Sequence, residues 1–397
     1  MAKNTAQNGN AASSRTFVTG VGSVCPVGLG IEPFANAFWR ASDFEETGTS
    51  GQGPDPVTVP EFDLSDFIDT TRPYVDRHSE FALAAGAMAL GWGGTEEECG
   101  PEPRSGLATG TLFGNVTSME TFQEIVRAKG MRLASPVLFP HCYSNTSNSL
   151  LCIEFGLRGV NQNFCEDLLC SARAIQSGYR AIRNGKADLM LTGGIDALSD
   201  SLRDAVSSDA ETDDLPVGEG ACLLALENEH SISRRGSQPI CELVGLVTRG
   251  TGVSAPPADD DDFQSIGQTV AQVVTEALDG AGLWEGDVGA IFLCPPFTGG
   301  SELQRAGEGA LESFSQLPHF WPLKSIGQAF GATFPLQCAA AALVLTQEAI
   351  PEAPKLEDVR QGVEMWIEEM PSNLLGDSVL VVGWTRRHAA CAVLRSL

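Results

Sequence analysis

Residues 161–194, "NQNFCEDLLCSARAIQSGYRAIRNGKADLMLTGG", carry two thiols, Cys165 and Cys170, at the entrance to an amphipathic helix. A thiol at a helix N-terminus can act as a nucleophile, because the positive end of the helix dipole favours the thiolate. The small-residue turn, the helix, and the buried strand and Gly-Gly that follow make a mount for such a group. Acid–base partners are scarce: the chain holds five histidines, at 78, 141, 230, 319 and 388. Most of its 11 cysteines sit inside apolar segments such as "SLLCIEFG" and "GACLLAL", and none forms a CxxC pair. That pattern argues against a zinc site or a disulfide framework and for reduced, buried thiols in a cytoplasmic protein. No metal and no cofactor is expected.

The elements that must position these groups alternate. "TFVTGVGSVCPVGLGIEPFANAFWRA" (16–41) gives a β-rich start, a Gly-rich turn and a helix. An Ala-rich helix (76–94), the strand "RSGLATGTLFG" and the helix "METFQEIVRAKG" follow. The opening stretch then supplies a helix over 172–184, ended by Asn184–Gly185, and a strand over 187–194. "GEGACLLALENE" and "ICELVGLVTRGTG" read as adjacent strands. Beyond them come a long helix (265–283), the strand "VGAIFLC" (288–294), a buried helix (337–349) and two closing strands in "DSVLVVGWTRRHAACAVLRSL". Each half runs strand, helix, strand, a weak internal duplication. Ala-rich helices and strands apolar on both faces imply a sheet covered on both sides.

Length and composition agree with this. With 397 residues, 43% of them hydrophobic, the chain has material for two or three domain-sized units of a globular α/β protein. No uninterrupted apolar run reaches the roughly 18 residues of a membrane span. The N-terminal "MAKNTAQNGNAASSR" lacks an apolar signal core and reads as a disordered leader over residues 1–15. A net charge of −26 excludes nonspecific nucleic-acid binding and attraction to anionic membranes. The acidic runs at 207–214 and 258–263 are read as solvated loops.

Several segments together resemble the β-ketoacyl synthases, the condensing enzymes of the thiolase superfamily. They are "VTGVGSVCPVGLGIEPFANAFW", "DRHSEFALAA", "FGLRGVN", "AIQSGYRAIRNGKADLMLTGGIDALS", "GEGACLLALE" and "KSIGQAFGA", in the family's order and over nearly the whole chain from residue 16. The resemblance implies an α/β thiolase-like fold, five layers α-β-α-β-α built from two duplicated halves, here 16–240 and 241–397. It also implies a dimer in which the strand at 161–167 pairs antiparallel across the interface. In that family a cysteine at the start of the buried helix takes an acyl chain from an acyl carrier protein. Two histidines and a lysine then handle decarboxylation of the malonyl extender, their N–H groups stabilising the enolate.

Two counts locate the family's cysteine position in this chain. Nine residues after Gly159 of "LRGVN", and six before Ala174, both give residue 168, a leucine. Leucine can neither form a thioester nor exchange a proton. Cys170 would lie about 200° around the helix from it, and Cys165 falls on the incoming strand, so both read as structural thiols. Cys294 stands at the first histidine position and Gln328 at the second. Of the catalytic set only Lys324 of "KSIGQAFGA" is retained, while His388 matches a later position of the C-terminal motif. His141 of "FPHCYSN" is read as a packed or interface histidine.

A chain that keeps this fold without its chemistry resembles the chain length factor of type II polyketide synthases. The resemblance implies a subunit with no activity alone. It would pair with an active ketosynthase, work on substrates carried by acyl carrier protein, and set chain length by where the cavity ends. Phe113, Met119, Phe122 and Phe139 are the candidates for that cavity wall. Leucine at 168 departs from the glutamine usual in such factors and suggests a dry, filled site, leaving aromatic and polyene-type chains equally open. A short link between "GGIDALS" and "GEGA" trims a segment that borders the family's substrate entrance. Two other readings stand beside this one. One is a divergent active enzyme using Cys170 or Cys294 with Lys324. The other is a homodimeric acyl-binding scaffold. Carrier proteins are acidic, so the active subunit is expected to supply most of their docking surface.

Overall fold

The computed structural model describes residues 14–39, 56–69, 75–91, 104–207, 216–253, 260–294, 296, 300–321, 325–347 and 376–397. Of the expected leader only residues 14 and 15 are described, and Arg15 is held by Glu242. The acidic run 207–214 lies outside the described residues beyond Ser207. Asp260–Phe263 of the second run open a long helix rather than a loop, a correction to the sequence reading.

In the first half the chain lays down β1 (Phe17–Cys25), β2 (Gly28–Leu29), α1 (Ile31–Trp39), α2 (Arg77–Leu90), β3 (Ser105–Thr111), α3 (Val116–Lys129) and α4 (Thr146–Glu154). It continues with β4 (Asn161–Cys165), α5 (Cys170–Arg183), β5 (Leu189–Asp196), α6 (Asp200–Ser207), β6 (Gly220–Glu227) and α7 (Glu229–Arg235). The second half runs β7 (Cys241–Gly250), α8 (Asp260–Ala281), β8 (Val288–Cys294), α9 (Gly300–Gly309), β9 (His319–Phe320), α10 (Thr333–Gln347), β10 (Ser378–Trp384) and β11 (His388–Arg395).

Strand order is β4-β3-β5-β6-β1-β7-β11-β10-β8-β9, with β2 hanging on β1. Read outward from its centre, the sheet is the same wiring twice. In the first half β3 runs parallel to β4 and β5, while β6 is antiparallel to β5 and β1. In the second half β8 runs parallel to β9 and β10, while β11 is antiparallel to β10 and β7. The halves meet where Phe17 and Val18 of β1 face Glu242 and Cys241 of β7. β6 and β7, expected as neighbours, are therefore separated by β1. They are consecutive in sequence, but β1 and β7 are the equivalent inner strands of the two halves and claim the centre.

Strand alternation sorts the side chains into layers, since successive residues face opposite sides of a sheet. On β6, Cys222, Leu224 and Leu226 face the central core, and Ala221, Leu223 and Ala225 face an outer one. On β10, Val379 and Val381 face the central core, and Leu380 and Val382 face the other outer one. The central core holds Ile175 and Ile182 of α5 and Phe334 and Val344 of α10. α2 fills one outer layer and α8 the other. The result is the five-layered α-β-α-β-α arrangement expected.

Helix α5 starts at Cys170, earlier than the expected 172, and its end at Arg183 is capped by Asn184. Leu168 thus lies in the turn ahead of the helix rather than on it. The rotational argument separating it from Cys170 does not apply, and burial separates the two instead. Two glycines let this turn sink into the sheet. A Cβ on Gly194 would stand 1.9 Å from the carbonyl oxygen of Gly331, and one on Gly110 would stand 2.4 Å from the amide nitrogen of Ser171.

Candidate functional site

Leu168 is half-buried and packs against a small apolar cluster apart from the three main cores. Leu198, Val217 and Phe330 form its buried floor, and Leu112, Phe113, Leu202 and Val206 pack around it. Leu202 and Val206 belong to α6, which lies in the shortened link noted from the sequence, so that link packs apolar side chains on the same cluster as Leu168. The Phe113 and Phe330 rings meet edge to face at 4.9 Å.

Polar groups set this aromatic pair from both sides. Asp196, at the end of β5 and fully buried, accepts from Thr111 Oγ1 at 2.6 Å, Leu112 N at 2.9 Å, Phe113 N at 3.0 Å and Gly331 N at 2.8 Å. One carboxylate therefore ties the loop carrying Phe113 to the turn carrying Phe330. Phe330 adopts a left-handed backbone with φ 47°. Its amide donates to Gln328 Oε1 at 3.2 Å, and Thr333 Oγ1 donates to the same oxygen. Gln328 is buried and spends its side-chain oxygen on this turn, while its backbone pairs with Pro216 and Gly218. Burial pushes the Asp196 carboxyl up and the neighbouring His78 imidazole down, and the donors around Asp196 work against its desolvation.

Neither nearby cysteine is poised to react. Cys170 is 0% exposed and Cys294 4%, and burial lifts both thiols well above their ordinary range. Cys294, last residue of β8, pairs with Gly383, whose own surroundings include the Leu169 side chain. Cys165 is exposed at the end of β4. Lys324 lies outside the described residues. Among the described residues no group of three or more His, Cys, Asp or Glu is placed to hold a metal ion, and no helix is long and apolar enough to cross a membrane.

Sequence reasoning missed Asp167. Its Oδ2 lies 2.7 Å from His388 Nδ1 and accepts from Thr385 Oγ1 at 2.7 Å, while Oδ1 accepts from Leu169 N at 3.0 Å. Burial alone would raise Asp167; the bonds from His388 and Thr385 outweigh it and hold the carboxyl below its ordinary range. The same bond raises His388. Asp ahead of a helix start was the available signal, but nothing in the sequence told that its partner lay 221 residues away.

The four cavity candidates divide. Phe113 packs on the same small cluster as Leu168. Met119 is 40% exposed and Phe139 46%, with the Phe122 ring 5.5 Å from that of Phe139, so these three belong to a surface. The division follows from α3, whose only buried residue is Ser118. The surface continues through Met131, Leu133, Val137, Tyr143 and Ile153, all exposed, with partly buried His141 among them. It ends at β4, which pairs with β3 on one side and with no described strand on the other.

This architecture is the thiolase-like ketosynthase fold. The chain is similar to the solved ishigamide ketosynthase/chain length factor, with TM-score 0.79 and 20% identity over 97% of this chain and 100% of that one. It is similar also to a β-ketoacyl synthase from Burkholderia phymatum, with TM-score 0.81 and 19% identity over 97% of this chain and 100% of that one. The family model "Beta-ketoacyl synthase, N-terminal domain" matches residues 17–212. Among curated relatives, the mitochondrial 3-oxoacyl-(acyl-carrier-protein) synthase of Arabidopsis thaliana is 26% identical, over 68% of this chain and 67% of its own length. A 3-oxoacyl-(acyl-carrier-protein) synthase 2 of Synechocystis is 24% identical, over 88% of this chain and 89% of its own. Residues 17–212 are thus similar to the N-terminal domain of the β-ketoacyl synthases, on the thiolase-like ketosynthase fold.

Proposed function

We propose that this chain is a catalytically silent ketosynthase-like subunit. It pairs with an active ketosynthase and limits the length of an acyl chain grown on acyl carrier protein. The observation that carries the reading is the apolar filling around Leu168. By two counts a nucleophile should stand there, and the space instead holds Phe113, Phe330 and the α6 side chains. At the two histidine positions, Cys294 is buried and Gln328 is engaged in holding a turn. A filled site without thiolate or imidazole has nothing with which to accept an acyl group or stabilise an enolate.

Two solved neighbours support the partners proposed. One is itself a ketosynthase/chain length factor; the other is a type II polyketide synthase acyl-carrier protein in complex with its ketosynthase bound to a hexaketide, with TM-score 0.75 and 18% identity to this chain. The exposed apolar face and the open edge of β4 suit a subunit that pairs. Chain length would be set sterically, because forcing further methylenes into a packed wall costs about 1–3 kcal/mol. Assay of the purified chain with acyl and malonyl thioesters is expected to give no condensation product. Co-expression with an intact Cys–His–His ketosynthase is expected to give a complex that does. Condensation by the lone chain would refute the proposal.

A further inference from the structure

The hairpin between β10 and β11 turns on Thr385, Arg386 and Arg387, and His388 opens β11, so three groups able to carry positive charge stand in a row. The turn is fixed through its backbone. Thr385 N donates to the His388 carbonyl at 2.8 Å, and Thr385 Oγ1 accepts from Arg387 N at 3.1 Å and His388 N at 3.0 Å. From the loop after β7, Thr251 Oγ1 donates to Arg386 O, and Thr251 N donates to Arg387 O at 2.8 Å. Thr385 Oγ1 and His388 Nδ1 both meet Asp167, so this turn rests against the one that carries Leu168. The acids around it are engaged elsewhere. Asp167 is spent on His388 and Thr385, Glu166 on Arg173 at 2.5 Å, and Glu276 on Arg249, which lies opposite Ala389, at 2.5 Å. α8 brings Asp261 and Asp262 about a turn ahead of Ser265, whose hydroxyl donates to Thr251 O at 2.9 Å. None of these acids pairs with Arg386 or Arg387, which form no ion pair among the described residues. Arg387 is exposed, Arg386 and His388 are half-buried, and His388 Nε2 forms no hydrogen bond among the described residues.

Two guanidiniums and, once protonated, an imidazolium on one fixed turn repel one another unless an anion joins them. We propose that this turn is a binding site for the terminal phosphate or diphosphate group of a small molecule, held by the Arg386 and Arg387 guanidiniums with His388 Nε2 beside them. This goes beyond the reading above and does not rest on it. A guanidinium is a planar fork of N–H donors that meets two phosphate oxygens at once, and two forks in succession suit a group with several such oxygens. The bond to Asp167 uses Nδ1 of His388 and favours the charged ring, which leaves Nε2–H as a third donor. Glu166 also favours that charge, and Arg173 opposes it. Three cationic groups suit a ligand bearing two or more negative charges better than the single charge of a phosphodiester. With a net charge of −26 the chain repels such ions over the rest of its surface, so binding must come from a local site.

Calorimetric titration of the full chain with inorganic pyrophosphate tests this, with ionic strength held by sodium chloride at about 0.1 M, where charges are screened beyond about 10 Å. Saturable one-to-one binding is expected. Arg386→Gln together with Arg387→Gln should weaken it by roughly tenfold or more, since each fork lost removes charge-assisted bonds. Pyrophosphate should also raise the melting temperature of the wild-type chain and leave that of the double variant in place. Dimethyl phosphate, with its single charge, should bind roughly tenfold or more weakly than pyrophosphate. Should the double variant fail to fold, Arg387→Gln alone, at an exposed position, carries the comparison with a loss of roughly threefold or more. Heat that never saturates, binding unchanged by the substitutions, or dimethyl phosphate held as tightly as pyrophosphate overturns the proposal.

Discussion

Asp167 and His388 tie the turn before α5 to the hairpin of β10 and β11, and their pair makes a pH-dependent contribution to stability. His388 titrates above its ordinary value when folded, so its share is fully present below about pH 6.5 and is lost as pH rises through the raised value. Asp167 works at the acid end: its share is present above about pH 3.9 and is lost as pH falls through the depressed folded value. His388→Ala should therefore cost about 1–2 kcal/mol near pH 6 and clearly less near pH 9. Thermal melts across that range check it, and a pH-independent loss would deny the pair its role. The thiols give a second expectation. Cys165 is exposed while Cys170 and Cys294 are buried with raised pKa values, so iodoacetamide should modify Cys165 well before Cys170 or Cys294 in native protein. Peptide mass spectrometry over a time course reads the order, and a fast Cys170 or Cys294 would favour the divergent-enzyme reading. That residues 161–183 build a strand, a turn and a buried helix was legible from their pattern. The Asp167 partnership and the Asp196 ties were not, because they join groups far apart in sequence.

At the scale of elements, the alternation of strands and helices was legible because burial on both faces imposes apolar runs on strands, and the central helices can afford few polar residues. The five-layered fold followed from the resemblance, and the duplicated wiring of the sheet bears it out. The placing of β1 between β6 and β7 was not legible, since strand neighbours depend on which elements fill the centre and not on sequence order. Nor was the start of α5, which is fixed by how closely it approaches the sheet. That approach gives the prediction at this scale. At Gly194 an added Cβ would meet the Gly331 carbonyl at 1.9 Å and the Ser171 side chain at 2.7 Å, with rigid backbone on one side. Gly194→Ala should push the turn before α10 away from β5, strain the Asp196 bonds and destabilise by about 3 kcal/mol or more. Gly280→Ala is the control, because nothing lies within 4 Å of its added Cβ. Denaturant melts that showed equal effects at the two positions would contradict the close approach.

For the whole molecule, the contrast is between a sealed interior and an open flank. Three packed cores account for the layers, and a fourth small cluster packs with Leu168 ahead of α5. The flank of α3, α4 and β4 leaves Met131 at 73%, Leu133 at 66% and Ile153 at 65% exposed, and large exposed apolar side chains gathered on one flank are of the kind that marks an interaction site. The sequence could name the segments but not their exposure: Met119, Phe122 and Phe139 look like core residues until α3 is seen to lie on the surface. If this flank exists to be covered, a charge placed on it should separate folding from association. Ile153→Asp stands on an exposed position of α4, so it should leave the melting temperature of the lone chain nearly unchanged, within about 0.5 kcal/mol. The same change should raise the soluble yield of the chain expressed alone, because it breaks the patch. It should also weaken capture of a co-expressed ketosynthase by tenfold or more, since a buried unpaired charge costs several kcal/mol at an interface. Affinity pull-down, read beside the melts, decides it. A variant that melts normally and still captures its partner at wild-type level would place the interface elsewhere on the molecule.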